Sequence, residues 1–214
     1  MKSNIKFAAI AAFLAIGVSA YAQEGFVRPE ISYVKFSNSV PLGLSGSEQS
    51  LKGTIGYGVA GGAFFGDQNE QEVSVSITMA DAKASITEPF LIEGISGTIS
   101  DSIKVKTTTI LLNYRYYTGA KADSARFYIG PSIGSSHLQA SESATGTADG
   151  ITDTESGDIG SKNPWTFAIS VGCAIKLAEK IDLDVGYRYT YGLTKSWDEH
   201  LESNALYAGV SFKF

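Results

Sequence analysis

Apolar and polar residues alternate with a period of two along most of the chain, which is the signature of β-strands with two unlike faces. Eight runs carry it: residues 26–36, 51–65, 70–81, 103–117, 126–139, 164–176, 181–192 and 204–214. In the seventh, Ile181, Leu183, Val185, Tyr187 and Tyr189 share one face, and Asp182, Asp184, Gly186 and Arg188 share the other. The runs are separated by roughly 14, 4, 21, 8, 24, 4 and 11 residues, so long and short connections alternate strictly. A soluble barrel has no reason to sort its loops by side. An up-and-down barrel in a membrane does, with short turns on one side and long loops on the other.

The segment before the first run reads differently. Lys2 and Lys6 precede an apolar stretch from Phe7 to Ala20, too short for an ordinary membrane-spanning helix, and Ala20-Tyr21-Ala22 is a small-residue cleavage signal. This predicts a cleaved signal peptide over residues 1–22 and a single domain over residues 23–214. The protein is therefore expected to be exported, and no Cys follows the cleavage site to carry a lipid anchor.

Composition narrows the picture. The 214 residues are 43% apolar and 18% charged, which is too apolar for a disordered chain. A formal charge of −5 argues against nucleic acid as a partner, because phosphate backbones call for a basic surface. The single cysteine, Cys173, excludes an internal disulfide framework and reads as an inert thiol on an apolar face.

The polar faces of the runs are small and mostly uncharged, rich in Gly, Ser and Thr, where a water-exposed face would carry many Lys and Glu. The apolar faces carry aromatics near the strand ends. Phe65, Tyr116, Phe127, Phe212 and Phe214 fall toward one rim, and Tyr33, Tyr57, Trp165, Tyr189 and Tyr191 toward the other. Two such belts mark the two boundaries of a membrane. The expected fold is all-β, an eight-stranded antiparallel up-and-down transmembrane β-barrel with its apolar face toward lipid.

At the level of particular segments the chain resembles the small eight-stranded outer-membrane barrels of Gram-negative bacteria, of the OmpA/OmpX and opacity-protein (porin family) type. Leu206-Tyr207-Ala208-Gly209-Val210-Ser211-Phe212-Lys213-Phe214 resembles their terminal strand, and the run from Ile181 to Tyr189 their penultimate one. Leu111-Leu112-Asn113-Tyr114-Arg115-Tyr116-Tyr117 and Tyr128-Ile129-Gly130-Pro131 resemble the fourth and fifth. The resemblance implies a location in the outer membrane among lipid and lipopolysaccharide. It also implies that Phe212 and Phe214 form a signal read by the outer-membrane assembly machinery. The peptidoglycan-binding role of some relatives is not expected here. Function is left open by this resemblance, because the scaffold carries adhesins, structural proteins and a few enzymes.

Candidate chemistry lies in two places. By parity, Arg28, Glu30, Glu72, Arg115, Asp182, Asp184 and Arg188 point into the lumen. Eight strands leave an interior just wide enough for side chains, so these charges are expected to form a packed ion-pair network. A proton or ion path is the alternative. Gly186, on the same face, is expected to take serine at a much milder cost than arginine at Val185. The second place is the long external loops. Residues 82–102 carry Ile86, Phe90, Leu91, Ile92, Ile95 and Ile99. Residues 140–163 carry Glu142, Asp149, Asp153, Glu155 and Asp158, either as a solvated acidic loop or as oxygen ligands for Ca²⁺. His137 and His200 lie beside serines and acids but in no recognised catalytic motif. The expectation is a non-enzymatic surface or structural protein, without cofactor or metal, whose loops contact a host, matrix or envelope ligand. A small passive porin-like channel is the second reading, and a lipid A-modifying enzyme the third.

Overall fold

Strand pairing dominates the chain because each alternating run finds a neighbour that continues its ladder. The computed structural model describes residues 24–42, 47–92, 95–120, 122–149, 151–196 and 199–214. The segment expected to be a signal peptide, residues 1–22, lies outside them. Eleven strands are present among the described residues: β1 (Glu24–Phe36), β2 (Ser39–Leu42), β3 (Ser47–Ser50), β4 (Thr54–Phe65), β5 (Gln71–Ile92), β6 (Ile95–Tyr117), β7 (Ala125–Ala148), β8 (Ile151–Lys162), β9 (Trp165–Ala178), β10 (Ile181–Ser196) and β11 (Glu199–Lys213).

Eight of these close a ring. The order β6-β5-β4-β1-β11-β10-β9-β7 returns on itself through the β6–β7 pairing, and every neighbouring pair is antiparallel. The seam between the first and last strands is continued by two backbone hydrogen bonds, Gly25 N to Phe214 O and Phe214 N to Gly25 O, both 3.0 Å. β2 and β3 form a small separate hairpin in the first long connection.

At one end the connections are tight. In the turn between β4 and β5, Gly66 and Asn69 take positive φ (83° and 54°), and Asn69 N closes the turn on Gly66 O. At the other end the chain departs from the sequence expectation. Residues 82–92, 95–102, 140–148 and 151–162 are strand and not loop. β5 and β6 continue as a ladder to Ile92 and Ile95, and β7 continues to Ala148 and turns back as β8. Ladder extension explains this. Once the ring fixes the register, each further residue adds pairing at little extra ordering cost. Hydroxyls join across the strands at Thr87–Ser100, Thr145–Thr154 and Thr147–Thr152, and Asp149 supplies the left-handed residue at the tip. β5, β6, β7 and β8 thus form a four-stranded sheet standing beyond the ring.

Burial on the ring is inverted relative to a water-soluble barrel. Tyr57 is 65% exposed and Phe127 67%, and Ile31, Val59, Ile129, Ile169 and Val185 also face outward. Arg28, Arg115 and Asp184 are each 1% exposed in the interior. An outward band of this kind is stable only where the surrounding solvent is hydrocarbon. Closure of the ring satisfies the backbone without water.

Candidate functional site

The lumen is filled in layers, and each follows from inward parity on several strands. Nearest the short turns, Phe26, Phe64 and Tyr117 stack edge to face or tilted, with centroids 5.1 and 5.8 Å apart. Arg126 sits 4.7 Å from the Tyr117 ring and donates to the Asn69 carbonyl at 2.9 Å. Lys213 Nζ lies 5.4 Å from the Phe64 ring, 2.6 Å from Asp182 and 3.8 Å from Glu24. These rings and cations close the mouth at the end of the short turns.

Above them lies the charge layer. Arg28, on β1, donates from Nε to Glu30 (3.0 Å), and from its two terminal nitrogens to Glu72 on β5 (3.2 and 3.3 Å) and Asp184 on β10 (3.2 Å). Arg115, on β6, donates to Asp184 at 3.0 Å and lies 3.7 Å from Glu72. Tyr117 and Tyr128 donate their hydroxyls to Glu72 (2.5 Å) and Asp184 (2.7 Å). Arg188 reaches Glu30 at 3.4 Å. Three guanidinium groups thus meet three carboxylates, so the layer is balanced without water. Arg115 lies 4.5 Å from the Tyr128 ring and Arg188 4.8 Å from that of Tyr207, so the phenols also shield the charges.

The tyrosines fit because their neighbours lack side chains. A Cβ on Gly186 would lie 2.5 Å from Tyr128 Oη and 2.6 Å from Tyr207 Oη. Gly186 thus makes room for the two phenols, and a serine there is costlier than its place on a small, polar face suggests.

Of the seven inward charges read from the sequence, six meet in this layer. Asp182 does not. It serves Lys213 in the mouth layer. Sequence reasoning overlooked Lys213 and Arg126 as partners and Phe26 and Phe64 as fillers. The signal for Lys213 was available, since it shares parity with Tyr207 and Ser211. Arg126 likewise shares parity with Tyr128.

Toward the long hairpins the interior loses its charges. Ser74, Ser76, Asn113, Ser132 and Ser170 give a hydroxyl and amide layer, with Asn113 Nδ2 donating to Ser76 at 3.1 Å. A cavity of about 40 Å³ follows, bounded by Ser32, Thr107, Thr109, Arg188 and Tyr207, with room for a few waters. It is capped by an apolar core of Val34, Phe36, Leu51, Ala82, Val105, Leu138 and Leu201, with Ile86 and Ile103 against it. The apolar residues of the predicted loop at 82–102 find part of their partner here.

The two histidines have separate surroundings. His137 Nδ1 bonds Asn163 Oδ1 at 2.7 Å. His200 Nδ1 bonds the Gly192 carbonyl at 2.7 Å and stacks on Tyr191. Of the acids of residues 140–163, Glu142 lies on β7, Asp149 just past its end and Asp153, Glu155 and Asp158 on β8, and among the described residues no three His, Cys, Asp or Glu side chains converge.

Known proteins give a matching picture. A family model described as outer membrane protein beta-barrel domain matches residues 8–214. No curated protein sequence matches the chain. Among solved structures, Neisserial surface protein A superposes with a TM-score of 0.55 at 17% identity, covering 89% of this chain and 97% of that one. OprG from Pseudomonas aeruginosa gives 0.47 at 15%, covering 91% and 97%, and the attachment invasion locus protein Ail of Yersinia pestis 0.43 at 12%, covering 89% and 98%. The first likeness supports the barrel fold. The family match over nearly the whole chain, on a closed ring with an apolar exterior, makes this protein a Gram-negative outer-membrane barrel of the outer membrane protein beta-barrel domain family.

Proposed function

We propose that this barrel is a sealed anchor, and that its task is adhesion or envelope contact carried out by the sheet that projects from it. The observation carrying this reading is β8 (Ile151–Lys162). It ends the four-stranded sheet, pairs on one side only and is exposed along nearly its whole length. An open edge beyond the membrane offers unpaired backbone groups to a partner strand. Leu91 (73% exposed) and Ile151 (75%) place apolar surface near the tip, where a partner would cover it.

The test removes the hairpin and keeps the ring. Residues 141–159 are replaced by Asn-Gly, joining Ala140 to its pairing partner Gly160. Cells displaying this variant should attach to host-cell and matrix surfaces no better than cells without the protein, while the barrel keeps its heat-modifiable gel mobility. Unchanged attachment would remove the reading.

The layered lumen supports an anchor over a channel. Planar-bilayer recordings of the full chain should stay near background, and stable single-channel steps of porin size would reverse this preference.

Phe212 and Phe214 are proposed to carry an assembly signal besides their place in the periplasmic aromatic belt. Phe214 is 75% exposed and bonds Gly25 through its backbone. Deleting it should lower outer-membrane yield in cells far more than the melting temperature of protein refolded in detergent. Equal, small effects would leave only the belt role.

A further inference from the structure

The sheet standing beyond the ring has two faces of different chemistry, and both run out to the open edge of β8. One face continues the inward parity of the ring. On it Glu88, Asp101, Glu142, Glu155 and Asp153 alternate with apolar or small residues, and no Lys or Arg stands in the rows from Glu142 to the tip. Glu142, Asp153 and Glu155 are exposed and have no ion pair among the described residues. The opposite face of the hairpin is uncharged over the same rows. Ser143 stands beside Ser156, Thr145 beside Thr154 and Thr147 beside Thr152.

Each side chain of a strand added to an edge lies directly opposite one of the edge strand, on the same face and about 5 Å away. Along β8 the first face presents Ile151, Asp153 and Glu155, and the second presents Thr152, Thr154 and Ser156. The cation of this strand, Lys162, sits at its foot beside Leu138 and neutralises neither acid. A second copy of β8 is a poor match. Antiparallel self-pairing centred on Thr154 sets Asp153 opposite Glu155 twice, and like charges directly opposite are destabilising. Backbone pairing at an edge supplies affinity for any strand, whereas alternate side chains decide which strand is taken.

Building on β8 as the adhesive edge, we propose that the partner it takes is a cationic extended segment of another protein. Lys or Arg stands opposite Asp153 and Glu155, an apolar side chain opposite Ile151, and Thr, Ser or Val fills the intervening positions. Charge complementarity on one face and hydroxyl or β-branched pairing on the other select this segment together.

The test uses the full chain in mild detergent and end-capped synthetic peptides. The probe is Thr-Val-Lys-Thr-Lys-Val-Leu, which in antiparallel register sets its lysines opposite Glu155 and Asp153 and its leucine opposite Ile151. Wild type should bind it about tenfold more tightly than the copy with Glu in place of both Lys, and the preference should shrink as salt is raised. Asp153→Asn/Glu155→Gln should bind the lysine peptide about tenfold more weakly and lose the preference. The chain with residues 141–159 replaced by Asn-Gly should bind neither peptide. Two further copies of the probe are N-methylated at the odd or at the even backbone amides, and one of the two should lose about tenfold, because only one set pairs with the edge. Each variant is first shown to keep its heat-modifiable mobility.

Equal binding of the lysine and glutamate peptides would overturn the cationic partner and leave the adhesive edge standing. So would the failure of both peptides to bind while removal of the hairpin still abolishes attachment of cells. Full binding by both N-methylated copies, or by the chain without the hairpin, would overturn strand addition at β8 and leave only diffuse attraction to the acids. Self-association of wild type that disappears with the hairpin would assign the edge to a second copy and overturn the proposal.

Discussion

The lower and upper parts of β5 and β6 obey opposite rules without any change in geometry. In the ring, Val73, Val75, Ile77 and Met79 point outward, and Glu72, Ser74, Ser76 and Thr78 inward. Past Met79 the parity continues and the chemistry reverses. Asp81 and Lys83 now face out, and Ala80, Ala82 and Ala84 are buried. β6 reverses in the same way between Ile110 and Lys106, with Val105 and Ile103 turned toward the core. The ladder is continuous through the change, so strand geometry does not cause it. The solvent does: hydrocarbon surrounds the lower part and water the upper part. The reversal fixes the outer membrane boundary more sharply than the aromatic belts do.

Substitutions on either side of this boundary should therefore behave as if made in two different proteins. The largest effect belongs to the ring interior. Arg115→Met removes a donor shared by Glu72 and Asp184 and should cost about 3–5 kcal/mol in urea unfolding from lipid vesicles. Arg115→Met/Asp184→Leu restores the charge balance and should cost less than the sum of the two single changes. Strict additivity would show that the layer does not act as a unit. Next comes the lipid face, where Val185→Arg should cost about 2–4 kcal/mol, and a near-zero cost would show that this face meets water. Gly186→Ser pushes an atom into the Tyr128 and Tyr207 hydroxyls and should cost about 1–3 kcal/mol by overpacking. The smallest effect is expected past the boundary. Lys83→Thr has the same outward parity as Val185 but should change stability by no more than about 0.5 kcal/mol in the same assay.

How much was legible follows from what period-two patterning records. It states which residues share a face, and closure of eight such runs leaves one consistent inside. The charge layer could therefore be anticipated as a set, since inward parity at Arg28, Glu72, Arg115 and Asp184 is a local property. The height of each residue is not local. It depends on the stagger between strands, which decides what comes level with Asp182 and with Asp184, two residues apart on β10: one meets Lys213 at the mouth and the other two arginines in the layer above. The hairpins were misjudged for a related reason. Ser, Thr, Gly and Asp in residues 140–163 carry turn-like preferences of their own, and the register imposed by the ring overrides them.

By itself the sequence determined the number of membrane strands and their faces, because both are written in nearest-neighbour alternation. Only the tertiary structure decided how the lumen is layered and that Gly186 makes room for Tyr128 and Tyr207. Those arrangements join residues many positions apart. Strand register and barrel closure bring them together, and neither is a property of any single stretch of the chain.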